Sequence, residues 1–286
     1  MGHAFQNLGK LEDAIEDYDK AISLKPDYAK AYNNKGVALQ GLGKLEEAIQ
    51  AFNKALSIKP DYGSAKHMLS ALTGNTQKTA PREYVENLFD GYAGNFEASL
   101  VNKLDYKIPK LIKNTLVKPL SKKSLGSVLD LGCGTGLLGL EIKNHCSKLY
   151  GIDLSAKMLT IAKQKNVYDK LQHSDIEQYL SSMPLIFDYF IALDVFIYVG
   201  ELQEIFRLIK TKNKKPGKLV FSTEHTEHNS YHILKSGRYA HSKKYIENLC
   251  KKFDYKISHF STTNLRKENS TFLTGGIYIL DFAKSS

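Results

Sequence analysis

The sequence predicts two parts, a short all-α repeat segment followed by a larger α/β domain built on a mostly parallel sheet. Residues 2–28 and 36–62 match at a shift of 34 positions, and a period of this length is typical of stacked helical hairpins. In the second part, the apolar run 127–131 breaks into closely spaced glycines, and a helical pattern follows over 137–145. Strand, tight turn and helix in this order indicate an α/β unit.

Composition sets the broad class of protein. With 286 residues and 42% hydrophobic content, the chain can form one or two domains with a real core. No apolar run approaches about 18 residues, so no membrane span is expected, and the N-terminus lacks the apolar core of a signal peptide. Cys133, Cys146 and Cys250 are scattered without disulfide or metal spacing. We therefore expect a cytoplasmic protein with no metal site.

The net charge of +10 is unevenly distributed. Residues 1–75 hold nine lysines and nine acids, so the whole excess lies in 76–286. Only four of the 40 basic residues are arginines. Because nucleic-acid sites favour arginine for bidentate contacts, a nucleic-acid partner is not expected.

The internal repeat carries a specific pattern of small, aromatic and proline positions. Gly9 pairs with Gly43, Ala21 with Ala55, and 26–28 (Pro-Asp-Tyr) with the identical 60–62. This pattern closely resembles the tetratricopeptide repeat (TPR), in which small residues let paired helices approach and the proline ends the second helix.

The resemblance implies one full repeat over 29–62, a shortened first repeat that begins near Gly2, and a capping helix over 63–73. It also implies a groove for a peptide or protein partner, lined by first helices that carry Tyr32, Asn33 and residues 35–40. Two repeats are few for such a stack. Either the stack leans on the next domain or the chain is a piece of a longer array, and the oligomeric state stays open.

A polar stretch with glycine and proline separates the two parts. We predict TPR repeats over 1–73, a linker over 74–82 and the α/β domain over 83–286.

The glycine-rich turn has two interpretations. Gly134-x-Gly136-x-x-Gly139 fits the dinucleotide fingerprint but gives Asp130 no role. The alternative, Asp130-x-Gly132-x-Gly134-x-Gly136, closely resembles the first signature of class I S-adenosylmethionine (SAM) methyltransferases. In both, glycines let a ligand approach the backbone, and the following helix offers free N–H groups.

Later strand ends favour the methyltransferase interpretation. The run 149–155 ends a strand near Asp153, Asp175 follows the next, and 187–194 is a buried strand that ends at Asp194. Acids at these strand ends resemble those that the family uses for ribose and adenine. Any one of them alone is explained equally well as a helix N-cap or turn residue.

The resemblance implies a Rossmann-like sheet of seven strands, the last antiparallel, with 255–263 and 271–282 as the final antiparallel pair. It also implies SAM as cofactor and S-adenosylhomocysteine (SAH) as product. The segment 84–96 resembles the family's lid. The implied cofactor-binding residues are Tyr92, Asp130, Gly132, Cys133, Gly134, Gly136, Asp153, Leu154, Met158, Asp175, Ile176 and Leu193.

The acceptor side is expected past strands four and five. His241, in the segment 237–242, is the first candidate for a catalytic base or substrate ligand, and Tyr239 is the second. Further candidates are Asp194, Tyr198, Glu224, His225 and His228.

Three functions stay open at this stage. The first is a methyltransferase acting on a small-molecule, carrier-bound or protein acceptor. The second is a TPR scaffold whose α/β domain binds SAM without turnover. The third, a nicotinamide oxidoreductase, is disfavoured by the position of Asp130.

Overall fold

A computed structural model describes residues 8–120, 124–268 and 271–284. The predicted start of the first repeat near Gly2 lies outside them. The repeat segment consists of α1 (Leu8–Leu24), α2 (Ala29–Gly41), α3 (Leu45–Ile58) and α4 (Gly63–Thr73). The α-helices that follow are α5 (Arg82–Tyr92), α6 (Ile108–Val117), α7 (Leu137–Ile142), α8 (Ala156–Gln164), α9 (Ile176–Ser182), α10 (Gln203–Lys212) and α11 (Lys243–Phe253). The strands are β1 (Ser127–Leu131), β2 (Lys148–Asp153), β3 (Lys170–His173), β4 (Tyr189–Ala192), β5 (Gly217–His225), β6 (Tyr231–Ile233), β7 (Tyr239–His241), β8 (Tyr255–Glu268) and β9 (Thr271–Phe282).

Helices α2 and α3 form the predicted antiparallel hairpin of the full repeat. Gly36 on α2 faces the ring of Phe52 on α3, and a Cβ at Gly36 would lie only 2.7 Å from that ring. Phe52 and Ala55 are fully buried. The small residues of the repeat therefore set the distance between its helices, as the sequence pattern predicts.

The sheet has five parallel strands in the order β3–β2–β1–β4–β5. Strand β9 pairs antiparallel with β5 and also with β8, so the predicted seven strands with the last antiparallel are confirmed. Two short strands are additional. The β6–β7 hairpin pairs with the end of β5 through Glu224 and Ala240.

Strands β1 and β4 are covered on both faces, which explains their continuous apolar sequences. Leu129 and Phe190 pack in one core, whereas Val128 and Ile191 pack in the core on the opposite face. Central parallel strands are commonly buried in this way.

Over residues 98–117, two separate helical segments, rather than one continuous helix, lie between α5 and β1. Residues 98–103 form a π-helical turn, Asp105 adopts a left-handed φ of 55°, and α6 starts only at Ile108. Pro109 at the start of α6 lacks an N–H and has a fixed φ, which suits a first turn and prevents continuation from the preceding helix.

The repeats pack directly on the α/β domain. Met68 of α4 and Phe52 share one apolar cluster with Tyr84 of α5 and Tyr239 of β7. The connecting segment is also attached, because Ala80 N donates to Tyr198 O at 3.0 Å and Glu201 N donates to Lys78 O at 2.7 Å. The stack thus leans on the following domain, one of the two alternatives left open by the sequence.

The packing of α2 on α3 gives a stability prediction. Gly36→Ala should destabilise the protein by about 1–3 kcal/mol, because the methyl group overlaps the Phe52 ring. Gly91→Ala in α5 is the matched control, since no atom of the described residues lies within 4 Å of its Cβ. There, alanine should be neutral or stabilising by up to about 1 kcal/mol. Urea unfolding of both variants measures the difference, and equal effects would contradict the packing.

Candidate functional site

A large cavity lies at the carboxyl ends of the parallel strands, where ligands bind in open α/β sheets. Its volume is about 810 Å³. The turn after β1, the ends of β2 and β4, and the start of α9 form its floor, and α5 covers it. A cavity of this size is near the upper end of the range for small-molecule sites, about 300–1,000 Å³.

The turn after β1 is held by hydrogen bonds to β2. The N–H groups of Gly132 and Cys133 donate to Ile152 O at 2.8 and 2.9 Å, and Gly134 N donates to Asp153 Oδ2 at 2.8 Å. Gly132 and Gly134 have φ values of 72° and 53°, which suit glycine. Among the described residues, no atom lies within 4 Å of a Cβ built on Gly134. The backbone of this turn is therefore open to the cavity.

Asp153 ends β2 and faces the cavity. Its two carboxylate oxygens accept from Gly134 N and Ser155 N, each at 2.8 Å. Burial raises the pKa of Asp153, and the two backbone donors oppose that rise. Both oxygens keep acceptor capacity for a hydroxyl-bearing ligand.

Asp130 is buried near the end of β1 and has a partner that the sequence pattern did not reveal. Tyr168 Oη donates to Asp130 Oδ2 at 2.7 Å. The Tyr168 ring lies against Gly139 and Gly151, where added Cβ atoms would approach it to 2.7 and 2.9 Å. Burial raises the pKa of Asp130 to about 7, and the Tyr168 hydrogen bond opposes the rise. Asp130 is thus an acid whose ionisation is costly without a cationic ligand.

The predicted third strand end combines a helix cap with part of the cavity wall. Asp175 caps α9, since its Oδ1 accepts from Gln178 N at 3.1 Å. Asp175 and Ile176 nevertheless line the cavity together with Leu154. Asp175 can therefore cap α9 and still face a ligand in the cavity.

Helix α5 is fastened over the cavity by a polar contact. Asp90 Oδ1 accepts from Ser155 Oγ and, at 3.4 Å, from Lys157 N at the start of α8. A carboxylate is favourable at a helix N-terminus. Phe89 and Tyr92, on the same helix, line the cavity. The Phe89 ring stands edge-on to the Tyr198 ring, with 5.3 Å between the ring centroids.

The opposite end of the cavity carries a buried network of charged side chains. Arg266 donates to Asp194 at 2.7 Å and to Glu224 at 2.8 Å. Arg238 donates to the same Glu224 oxygen at 2.5 Å and to Glu268 at 2.8 and 3.0 Å. Three carboxylates and two guanidinium groups give this network a formal charge of −1. Sequence analysis identified Asp194 and Glu224 but missed both arginines and Glu268.

Most of the predicted cofactor residues line the cavity. They are Tyr92, Asp130, Gly132, Cys133, Gly134, Asp153, Leu154, Asp175, Ile176 and Leu193. The two exceptions lie beneath the site. Gly136 faces Tyr168 and Ala162, and Met158 is fully buried, so both support the turn and α8 from behind.

Neither of the two candidate catalytic residues, His241 and Tyr239, lines the cavity. His241 is fully buried, and its Nε2 donates to Val199 O and Gly200 O at 3.0 and 2.9 Å. Burial lowers the pKa of His241 to about 4. Tyr239 is also fully buried, in the apolar cluster shared with the repeats. Both residues hold β7 in place.

The remaining acceptor-side candidates separate into two groups. Asp194 and Tyr198 line the cavity. His225 and His228 do not line it; His225 contacts Glu227 at 3.1 Å, and His228 lies beside His232. Within the described ranges, no group of three or more His, Cys, Asp or Glu side chains is arranged to hold a metal. In the same ranges, no helix combines the length and apolar character of a membrane span.

Family models cover both parts of the chain. A model described as "Methyltransferase domain" matches residues 122–273, more than half of the sequence. Models described as "TPR repeat" and "Tetratricopeptide repeat" match residues 2–43 and 29–62.

Individual relatives are more distant. The ubiquinone biosynthesis O-methyltransferase of Coxiella burnetii (strain RSA 493 / Nine Mile phase I) is 27% identical over 158 residues, covering 54% of this chain and 64% of that protein. The chain thus spans less than two-thirds of that relative's length. The N-methyltransferase NodS from Bradyrhizobium japonicum WM9, solved with SAH, has a TM-score of 0.50 at 17% identity, covering 62% and 88% of the two chains. The DhpI–SAH complex has a TM-score of 0.50 at 14% identity, and the match covers 72% of this chain and 98% of the DhpI chain. These two structures share the fold.

The raised pKa of Asp130 predicts a pH-dependent stability. The folded state keeps its proton up to about pH 7, whereas the unfolded chain releases it near pH 4, so stability falls as pH rises between these values. Asn has no proton to release, so Asp130→Asn should not lose stability in this way. The free energy of unfolding of the variant minus that of wild type should increase by roughly 2–3 kcal/mol between pH 5 and pH 8.

Urea unfolding at the two pH values measures this change. Ser23→Ala, at an exposed position in the repeats, removes no titratable group and is the control, which should show no such increase. A pH-independent difference between Asp130→Asn and wild type would contradict the buried, protonated carboxyl.

Proposed function

Because the chain belongs to the methyltransferase domain family and carries tetratricopeptide repeats, we propose that it transfers the methyl group of SAM to an acceptor. One observation carries this proposal. The open glycine turn and the acids that end β1 and β2 face one end of a cavity of about 810 Å³, and a separate charged network faces the other. The cavity therefore has room for a cofactor and an acceptor together.

The residues at the turn suit SAM. In this proposal Asp130 pairs with the ammonium of the methionine moiety, and Asp153 accepts from the ribose hydroxyls. Asp175 accepts from the adenine amino group, with Leu154 and Ile176 against the ring. The open space beside Gly134 supports this arrangement, because a ligand can approach the backbone there without meeting a side chain.

When bound, SAM supplies an activated methyl group on a positively charged sulfur. The protein has to align the acceptor and exclude water. Phe89 and Tyr92 on α5 supply apolar cover for that purpose, and Asp90 keeps the helix in position. Burial raises the pKa of Tyr198 to about 12, against the effect of Arg238 and Arg266, so this phenol stays protonated and can donate a hydrogen bond.

The acceptor binds, in this proposal, beside Asp194, Tyr198 and Arg238. It is a small molecule, a carrier-bound group or a protein side chain. The arginines already hold the nearby carboxylates in ion pairs, which favours alignment over strong base catalysis at this end. The repeats are proposed to bind a protein partner as well. The three unpaired cysteines support the proposed cytoplasmic location.

Two left-handed glycines provide a matched test of the cofactor site. Gly134 in the turn and Gly74 after α4 have φ values of 53° and 77°, and neither Cβ would meet an atom of the described residues within 4 Å. Alanine at either position should cost about 1–2 kcal/mol of stability through backbone strain. Only Gly134→Ala should also weaken SAH binding, by tenfold or more, in calorimetry. Equal SAH affinity in both variants would place the cofactor elsewhere.

The reaction is tested by incubating the protein with methyl-tritiated SAM and a cell extract, then identifying the labelled product by mass. Wild type should label a defined fraction. Asp153→Asn should lower SAM affinity by about 10- to 150-fold, as expected for loss of a charge-assisted hydrogen bond of about 1.5–3 kcal/mol. Asp281→Asn, which affects an ion pair on β9 outside the cavity, is the control. Tight SAH binding without labelling would instead support the scaffold function, and preferential NAD binding would refute both.

A further inference from the structure

The turn between β6 and β7, residues 234–237, lies against α2, the first helix of the full repeat, and against the capping helix α4. Gln40 on α2 donates its side-chain N–H to Lys235 O. His67 on α4 contacts Gly237 O through Nε2 at 2.8 Å. Because a carbonyl only accepts, Nε2 carries the proton and donates. Burial lowers the pKa of His67, which agrees with a neutral ring.

The turn is also closely packed on α4. His67 is fully buried, and Gly237 adopts a φ of 80°. A Cβ at Gly237 would lie 3.0 Å from Met68 Sδ and 3.2 Å from Tyr84 Oη. The His67 ring itself stands 4.7 Å from the Tyr84 ring. The turn therefore fits into a surface that α4 and α5 build together.

The same turn leads directly into the cavity. Ser236 and Arg238 both line it. Arg238 O accepts from Leu234 N at 2.7 Å, and Gly237 N donates to Leu234 O at 2.9 Å, so the turn is closed immediately before Arg238. The Arg238 side chain then enters the charged network through Glu224 and Glu268. Hydrogen bonds from the repeats thus reach the acceptor end through one short segment.

We propose that the repeats form part of the acceptor site, with Gln40 and His67 as positioning residues that hold the 234–237 turn and so fix Arg238. This inference rests on the proposed methyl transfer. The repeat segment acts here within its own chain, through Gln40 on α2, where the TPR pattern implies a peptide groove, and through His67 on the capping helix α4. Removing the His67 donor leaves the buried Gly237 carbonyl unpaired, and removing the Gln40 donor frees the partly buried Lys235 carbonyl. Either change loosens the segment that carries Arg238.

The test uses full-length protein with His67→Phe and, separately, Gln40→Met, each of which keeps volume but removes the donor. His67→Gln is the rescue variant, since its amide can still donate to Gly237 O. Lys66→Ala, at an exposed position on α4, is the control. Hydrogen exchange of residues 231–241 and SAH affinity are measured for each. Kinetics are measured with methyl-tritiated SAM and, as acceptor, the unlabelled extract fraction in which wild type forms a labelled product.

We expect exchange over 231–241 to rise about tenfold or more in the two donor-deficient variants, with β1–β4 unchanged. SAH affinity should stay within about twofold, because the cofactor end is built by other residues. The acceptor KM should rise about fivefold or more with little change in kcat, as expected for lost binding shared by ground and transition states. His67→Gln should restore both properties.

Unchanged hydrogen exchange over 231–241 in both His67→Phe and Gln40→Met would overturn the inference. Faster exchange over these residues with an unchanged acceptor KM would overturn it as well. In either case wild-type labelling would leave the proposed function standing. Absence of labelling by wild type would instead overturn the proposed function and the acceptor role of Arg238 with it. The exchange result would still decide whether the repeats hold the turn.

Discussion

The conformation of the turn after β1 is the constraint on which the cavity depends. Gly132, Gly134 and Gly136 all have left-handed φ values, which cost other L-residues about 1–2 kcal/mol each. The turn is fixed to β2 through Ile152 O and the Asp153 carboxylate. Because β1 lies at the centre of the parallel strands, this turn determines where the ends of β2 and β4 meet a ligand.

A second constraint acts at the opposite end of the cavity. Arg238, Arg266 and Glu224 are almost fully buried, so each charge depends on the others for compensation. Removing one partner from such a group typically costs about 3–5 kcal/mol, since the remaining charge is left unpaired. The network ties together β5, the β6–β7 hairpin and β8. The acceptor end is therefore rigid through long-range ion pairs, whereas the cofactor end is rigid through local backbone geometry.

This difference between local and long-range contacts explains why the cofactor end could be predicted from the sequence and the charged network could not. The glycine turn and the acid that ends β2 are local signals, because strand, turn and ligand group follow each other within a few residues. The ion pair between Arg266 and Asp194 joins positions 72 residues apart and leaves no local pattern. Tyr168 was missed for the same reason, since it reaches Asp130 across 38 residues.

The burial of His241 has a more specific cause. The segment 237–242 contains the short strand β7, which is not among the strands expected from the sequence. Alternation along a strand puts Tyr239 and His241 on one face, and here that face is buried. Arg238, one position earlier, enters the cavity instead.

The most direct test of the account is an experimental structure of the protein with SAH. The account predicts the adenine beside Asp175 and Ile176, the ribose hydroxyls on Asp153 and the amino group on Asp130. The sulfur should then point toward Asp194 and Arg238, with α5 over the ligand. SAH bound away from the turn after β1, or with its sulfur pointing away from the charged network, would contradict it.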